Sequence, residues 1–388
     1  MKKKICIITT NRADYGFFKP LIAQINSNQK LDLKVIATGT HPEKKYGSSI
    51  DEILQDNIKP IIVKTFVNDS EIGIVETIAN TAKKIGEELI KIKPDLVFLV
   101  GDRYETLTIA QICVILNISI AHISGGDVTQ GANDDMFRHA ISKLSNLHFA
   151  SCEEYRQRII QLGEEPNRVF NTGSLSLENL ENLKLLSKKE IEKTLDLKLD
   201  NCLLATFHPV TLESDSQENQ FDELLNAIAI QTKYKFIFTL PNPDNGSDDL
   251  VKKLQNFVKK YPNKISIFSS LGTLKYLSIM KHCDGVIGNS SSGILEAPSF
   301  KIPTINIGNR QQGRICAESI INCPANSKEI LKALNKIQTI EFNNILKNIV
   351  NPYKKNNTSK IIIKIVNDYL FSTTISHKKF FDLNFTKQ

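Results

Sequence analysis

The sequence predicts an α/β protein of two domains, each a parallel sheet covered by helices. Three observations predict it. Short apolar runs alternate with stretches of helical periodicity along most of the chain. The informative polar loops follow the apolar runs rather than precede them. The length, 388 residues, exceeds what one core usually organises. No period of about 20–50 residues repeats, so a solenoid is excluded.

In chain order, Ile5 to Ile8 reads as the first strand and Thr9 to Gly16 as the loop at its end. Phe17 to Asn26 has Phe17, Leu21, Ile22 and Ile25 on one helical face. Leu33 to Ala37 is a strand, and Ile72 to Ile92 a long amphipathic helix stopped by Pro94. Leu96 to Val100 is wholly apolar, the mark of a central parallel strand. Gly101 to Glu105 is its loop. Then come a helix at Thr106 to Leu116, a strand at Ile118 to Ile123, a helix at Asp134 to Ser145 and a strand at His148 to Ala150. A helix at Glu153 to Leu162 and a strand at Val169 to Asn171 complete the first series. Gly173 to Lys193 is polar and helical, and reads as the connection between domains. The second series has strands at Leu203 to Thr206, Lys235 to Thr239, Ile265 to Ile267, Asp284 to Gly288 and Pro303 to Ile307. Its helices are Phe221 to Ile230, Asp249 to Lys260, Leu274 to His282 and Ser327 to Ile337. An amphipathic helix at Ser359 to Leu370 precedes a polar tail. The expected domains are residues 1–176, residues 177–356, and a returning segment at 357–388.

Composition narrows the function. The chain is 41% hydrophobic and 23% charged, with no tryptophan and a formal net charge of +7. The lysines are dispersed, and no aromatic interleaving accompanies them, so a nucleic-acid partner is not expected. The positive balance suits an anionic small molecule. Seven cysteines lie scattered without a C-x-x-C pair, which fits reduced thiols in a cytoplasmic protein rather than disulfides or a zinc site. The apolar core after Lys2-Lys3-Lys4 is too short for a signal peptide, and no run approaches a membrane span. There is no G-x-G-x-x-G, no Walker A loop and no metal-spaced His/Cys cluster, so no cofactor or metal is expected.

The loops carry arginines (Arg12, Arg103, Arg310, Arg314), carboxylates (Asp102, Asp127, Asp134, Asp135) and the histidines His122 and His208. Guanidinium forks suit a diphosphate, and carboxylates beside a histidine suit proton transfer. Gly288-Asn-Ser-Ser-Ser-Gly-Ile-Leu-Glu296 lies between a strand and a helix, with uncovered N–H groups suited to an anion and Glu296 in the first helical turn, suited to ribose hydroxyls. Each feature also has a structural reading. The Ser-rich stretch is equally an N-cap. Asp102 and Asp134 cap helices in that reading, Arg138 and His139 form a solvated face, and His122 is core.

Seven motifs together resemble one family. They are Asn11-Arg-Ala-Asp-Tyr15, Gly101-Asp-Arg-Tyr-Glu105, Gly125-Gly-Asp-Val-Thr, Asp134-Asp-Met-Phe-Arg-His139, Phe207-His-Pro-Val-Thr211, Gly288-Asn-Ser-Ser-Ser-Gly293 and Gly308-Asn-Arg-Gln-Gln-Gly-Arg314. In this order, from about residue 4 to about residue 370, they resemble the hydrolysing UDP-N-acetylglucosamine 2-epimerases of the sialic-acid pathway. The resemblance implies a GT-B-like fold, two Rossmann-like domains facing across a cleft, with the last helix crossing back to the first domain. It implies loss of UDP by anti elimination across C1–C2, then syn addition of water to 2-acetamidoglucal. N-acetylmannosamine and UDP are the products, and the enzyme is a homodimer or homotetramer.

By motif match, the resemblance assigns acid/base work to Asp102 and Asp134, with Asp127 as a further candidate, and places a cationic His208 beside the diphosphate or sugar. Arg12, Arg103 and Arg138 become first-domain substrate-binding residues, Arg12 and Arg103 as cleft arginines and Arg138 as support. Asn242, Ser290, Ser291, Glu296 and Arg310 become nucleotide contacts. Two departures stand out. Several members have a catalytic glutamate where this chain has Ser124, and the animal enzyme has a serine where this chain has Gly16. Alternative readings are the same chemistry on UDP-N,N'-diacetylbacillosamine, a non-hydrolysing epimerase, and a GT-B glycosyltransferase.

Overall fold

Among the described residues of the computed structural model, seven strands of the first unit and six of the second form two separate, wholly parallel sheets. The structure describes residues 2–43, 49–68, 70–129, 133–208, 217–240, 247–269, 271–372 and 377–383. One compact unit comprises Met1–Asp127, Asn133–Asn179 and Tyr353–Gln388; the other comprises Val128–Ala132 and Leu180–Pro352.

The first unit runs β1 (Lys3–Thr9), α1 (Arg12–Ser27), β2 (Leu31–Ala37), α2 (Ile50–Gln55), β3 (Ile61–Ile62), α3 (Glu71–Ile92), β4 (Leu96–Val100) and α4 (Tyr104–Ile115). It continues with β5 (Ser119–Ile123), α5 (Asn133–Leu144), β6 (Leu147–Ala150), α6 (Glu153–Gln161), β7 (Val169–Asn171) and α7 (Leu175–Asn182). The strand order is β3-β2-β1-β4-β5-β6-β7. Alternation along the strands feeds two cores. Ile5, Ile7, Leu96 and Phe98 pack on one face, while Cys6, Ile8, Val97 and Leu99 pack on the other.

The second unit has α8 (Lys188–Leu195), β8 (Cys202–Thr206), α9 (Gln217–Ile230), β9 (Lys235–Thr239), α10 (Ser247–Lys260), β10 (Ile265–Phe268) and α11 (Gly272–His282). Then follow β11 (Gly285–Gly288), α12 (Ser292–Leu295), β12 (Thr304–Ile307), β13 (Ile320–Cys323), α13 (Ser327–Lys336) and α14 (Ile340–Lys347). The order is β10-β9-β8-β11-β12-β13. Both sheets therefore reverse direction of winding beside their first strand, between β1 and β4 and between β8 and β11. Open α/β sheets bind ligands at the carboxyl ends of the strands at such a reversal. Last comes α15 (Thr358–Phe371), whose Ile362, Ile363, Val366 and Leu370 enter the first unit's core beside α1. Beyond it, the tail lies on the same unit: Lys378 Nζ meets Glu164 Oε2 at 2.7 Å, and the Phe381 N–H donates to the Gly163 carbonyl at 2.9 Å.

The α/β class and most elements are as expected, with four differences. Residues 12–16, read as loop, are the first turn of α1, because the Asn11 side chain caps it by accepting the Asp14 N–H at 3.0 Å. The polar connection is two helices, and the second starts at a Ser187–Glu190 capping box. The elements α2, β3, β13 and α14 were not anticipated; they are short and lack a full period of pattern. Glu296 does not stand in the first turn of a helix. It follows the four residues of α12, where Pro298 removes the next donor and stops the helix.

Candidate active site

The second unit gathers three loops at its reversal. Asn289, fully buried after β11, binds His208 twice: its Oδ1 accepts the His208 N–H at 2.7 Å, and its Nδ2 donates to the His208 carbonyl at 2.8 Å. The loop after β12 closes on the same residue. Arg310 Nη1 and Gln311 Nε2 donate to the Asn289 carbonyl at 3.0 and 2.8 Å. Three strand ends are thereby locked together around Asn289. Gly288 makes the approach possible. Its φ is +129°, and a Cβ there would collide with the Thr206 carbonyl. Gly288→Ala is expected to pry these strand ends apart and lower the melting temperature of the protein, which scanning calorimetry of the variant checks.

Ser290, Ser291 and Ser292 follow, all half-buried. The Ser290 hydroxyl lies 3.1 Å from that of Ser292, which lies 2.6 Å from the Tyr276 hydroxyl. Four residues of α12 make too short a helix for a strong macrodipole, so an anion here depends on these hydroxyls and on Arg310. His208 is buried, and burial, with Arg310 nearby, pushes its ring down to about 3. In the ligand-free protein burial disfavours the charged form of the ring, and an approaching anion would favour it. Asn242 lies outside the described residues.

In the first unit, Arg138 is the centre. It stands on α5 yet its side chain is only 1% exposed. Its Nη2 donates to Asp102, at the end of β4, and its Nη1 donates to the Asp127 carbonyl at 3.0 Å and to Asp135 Oδ1 at 3.3 Å. Burial alone would lower the Arg138 pKa; Asp102 and Asp127 outweigh it and raise it. The solvated-face reading of Arg138 is thus wrong: the guanidinium is buried and held by the carboxylates. Asp102 remains 27% exposed. Asp127 is buried beside Arg138, whereas Asp134 is exposed in the first turn of α5. His122 is core, as its position in a strand suggests. It bonds the Gly101 carbonyl at 2.8 Å and the Ser142 hydroxyl at 3.2 Å, and so braces the loop that carries Asp102. Ser124 takes a left-handed φ of +62° and donates its N–H to the Phe149 carbonyl at 3.0 Å.

Two arginines of the first unit differ. Arg12 stands on the first turn of α1 and meets Glu52 at 3.1 Å, with its side chain 46% exposed. Arg103 precedes α4 and is forked onto the buried Glu105. Sequence reasoning passed over Asn289, Gln311, Glu105 and Asp14, although all four lie inside the motifs quoted above. Burial pushes the Asp14 carboxyl up to about 6, against the hydrogen bonds from Thr10. Among the described residues, no three His, Cys, Asp or Glu side chains gather as metal ligands, and no helix is long and apolar enough to cross a membrane.

The buried histidines set an expected acid limit. Burial lowers His41 to about 4, and His122 and His208 each to about 3. Below about pH 6.5 the unfolded chain takes up a proton at each ring while the folded chain does not, so the unfolded state binds more protons. Stability then falls as pH drops from about 6.5 towards 4, by up to about 1.4 kcal/mol per pH unit for each ring. Melting temperatures recorded from neutral pH downwards check this; a flat profile contradicts it.

Comparison with known proteins agrees with this layout. A family model described as UDP-N-acetylglucosamine 2-epimerase matches residues 23–367. The GDP/UDP-N,N'-diacetylbacillosamine 2-epimerase (hydrolyzing) of Campylobacter jejuni is 40% identical over 384 residues, 98% of this chain and 100% of that protein. Polysialic acid biosynthesis protein P7 of Escherichia coli is 37% identical, with 98% of each chain covered. The crystal structure of a UDP-GlcNAc 2-epimerase from Neisseria meningitidis bound to UDP-GlcNAc matches with a TM-score of 0.80 at 20% identity, covering 94% of this chain and 99% of that one. That likeness is one of fold, the GT-B-like class of two Rossmann-like domains. The chain belongs to the UDP-N-acetylglucosamine 2-epimerase family.

Proposed function

We propose that this protein is a hydrolysing 2-epimerase: it converts a UDP-linked 2-acetamido sugar and water to the free 2-epimer and UDP. The observation that carries the reading is full-length similarity, at 40%, to a protein whose name states the hydrolysing reaction. In this reading the units divide the labour. Ser290, Ser291, Glu296 and Arg310 of the second hold the UDP. Asp102, Asp134 and Asp127 of the first move protons.

The step balances as follows. A carboxylate takes the C2 proton, the C1–O bond breaks, and UDP leaves with the bonding pair, giving the glycal. Water then adds its hydroxyl at C1, and a protonated group returns a proton to C2 on the face that inverts it. Asp102, paired with the buried Arg138 and still partly exposed, is suited by its position to the role of base. Asp134, exposed on a helix start, is suited to exchange its proton with solvent. Growing charge on the diphosphate falls on Arg310, and a diphosphate beside His208 would draw a proton onto its ring. Ser124 cannot do acid/base work near neutral pH; in this reading Asp127 or Asp134 takes that task, or water is delivered differently.

Two substrates fit: UDP-N-acetylglucosamine, which gives N-acetylmannosamine for sialic acid synthesis, and UDP-N,N'-diacetylbacillosamine, which lacks the 6-hydroxyl and carries a second acetamido group at C4. The second is favoured by the name of the Campylobacter relative, the first by the polysialic-acid protein. Incubation with each sugar nucleotide in deuterated water decides. UDP release with deuterium at C2 of a free sugar supports the proposal and identifies the substrate. Recovery of UDP-sugars alone points to a non-hydrolysing epimerase. Transfer without C2 exchange points to a glycosyltransferase, and no release from either nucleotide refutes the proposal.

A further inference from the structure

The first unit's sheet reverses between β1 and β4, and the segments leaving those strands, each a short loop running into the first turn of a helix, carry Thr10–Asp14 and Gly101–Glu105. Arg103 stands at that reversal. Its side chain is 39% exposed, whereas the Glu105 side chain is 0% exposed. Arg103 Nε donates to Glu105 Oε2 at 3.2 Å, and Nη2 donates to Oε1 at 3.5 Å. A buried carboxylate thus grips one edge of a half-exposed guanidinium. Asp14 adds a second negative charge felt by Arg103, and is itself fixed by the Thr10 hydroxyl at 2.6 Å and the Thr10 N–H at 3.2 Å. Tyr104 supports the group from its ring face, 5.7 Å from the guanidinium carbon.

Burying a carboxylate is unfavourable unless a cation meets it, and Arg103 is the cation that meets Glu105. An unrestrained arginine loses much rotamer freedom when it binds a ligand; one already forked on a fixed carboxylate loses less. The remaining edge of the planar fork suits two oxygens of an anion.

We propose that Glu105, with Asp14 beside it, is a positioning residue that holds Arg103 in the orientation needed to receive diphosphate oxygens of the sugar nucleotide. This rests on the reading of the protein as a UDP-sugar enzyme. Glu105 acts through Arg103 and touches no reacting atom.

The test is a double-mutant cycle on the full-length protein, read both as kcat/KM for UDP release and as affinity for each UDP-sugar by calorimetry. Arg103→Ala is expected to lower kcat/KM about a hundredfold, and Glu105→Gln about tenfold. The double variant is expected to be no worse than Arg103→Ala, because the carboxylate has nothing left to position. Losses that multiply, or a Glu105→Gln variant with wild-type kcat/KM and affinity, overturn the proposal. If Glu105→Gln fails to fold, the same cycle is run with Asp14→Asn, which lies on a half-exposed helix turn; the expected and overturning patterns are the same, with a smaller single loss. Wild-type inactivity on both nucleotides refutes the enzymatic reading alone, and the binding arm still decides on Glu105. If Arg103→Ala changes neither turnover nor affinity, the inference fails while the epimerase reading stands.

Discussion

Asp102→Asn is expected to lower kcat at least about a hundredfold, close to 2.7 kcal/mol on the barrier, while UDP affinity changes by about twofold or less. The substitution keeps the shape of the side chain and leaves an oxygen for Arg138, so the buried guanidinium stays bonded. What disappears is the charge and the basicity. The UDP contacts proposed on the second unit are untouched, and for that reason affinity should persist. Asp134→Asn is expected to behave likewise, with smaller structural consequence because Asp134 is exposed. Steady-state kinetics with UDP titration check both. Near-normal turnover in Asp102→Asn removes Asp102 from the chemistry.

Arg138→Leu is expected to act in the opposite way, through stability first. Breaking a buried ion pair by removing one partner costs about 3–5 kcal/mol, and the partial exposure of Asp102 and Asp135 places this site near about 3 kcal/mol. Leucine fills part of the volume but leaves the Asp127 carbonyl without its donor. Scanning calorimetry is the measurement: the transition of the first unit should move down, and that of the second should not. Turnover should also fall, since Asp102 loses its anchor. An unchanged first transition would show that Arg138 is dispensable for the fold.

These two residues also mark how far the sequence could be read. Most of the strands were legible because they are buried on both faces, and runs such as Leu96 to Val100 show it directly. The loops were legible because each follows such a run. Arg138 was not legible, since its partner Asp102 lies 36 residues upstream and no helical pattern signals a charge that turns inward. The start of α1 was missed although Asn11 and Asp14 have the spacing of a cap. Glu296 was misplaced because a strand followed by small residues suggests a long helix, whereas Pro298, two residues later, forbids it. The lowered pKa of His208 follows from burial, a property of the packed protein and not of the Phe-His-Pro tripeptide.

The return of α15 to the first unit has a consequence for the order in which the protein is made. The first unit's core is incomplete without Ile362, Ile363, Val366 and Leu370, yet these residues are translated after the whole stretch from Leu180 to Pro352. The second unit is nearly continuous in sequence, so it is able to close on the ribosome as its last strand emerges. The first must wait, with the face of α1 that α15 covers open to water until synthesis passes Phe371. The half that carries Asp102, Asp134 and Arg138 is therefore the half that matures last, and an enzyme truncated before α15 would retain the second unit's loops but not a finished set of carboxylates.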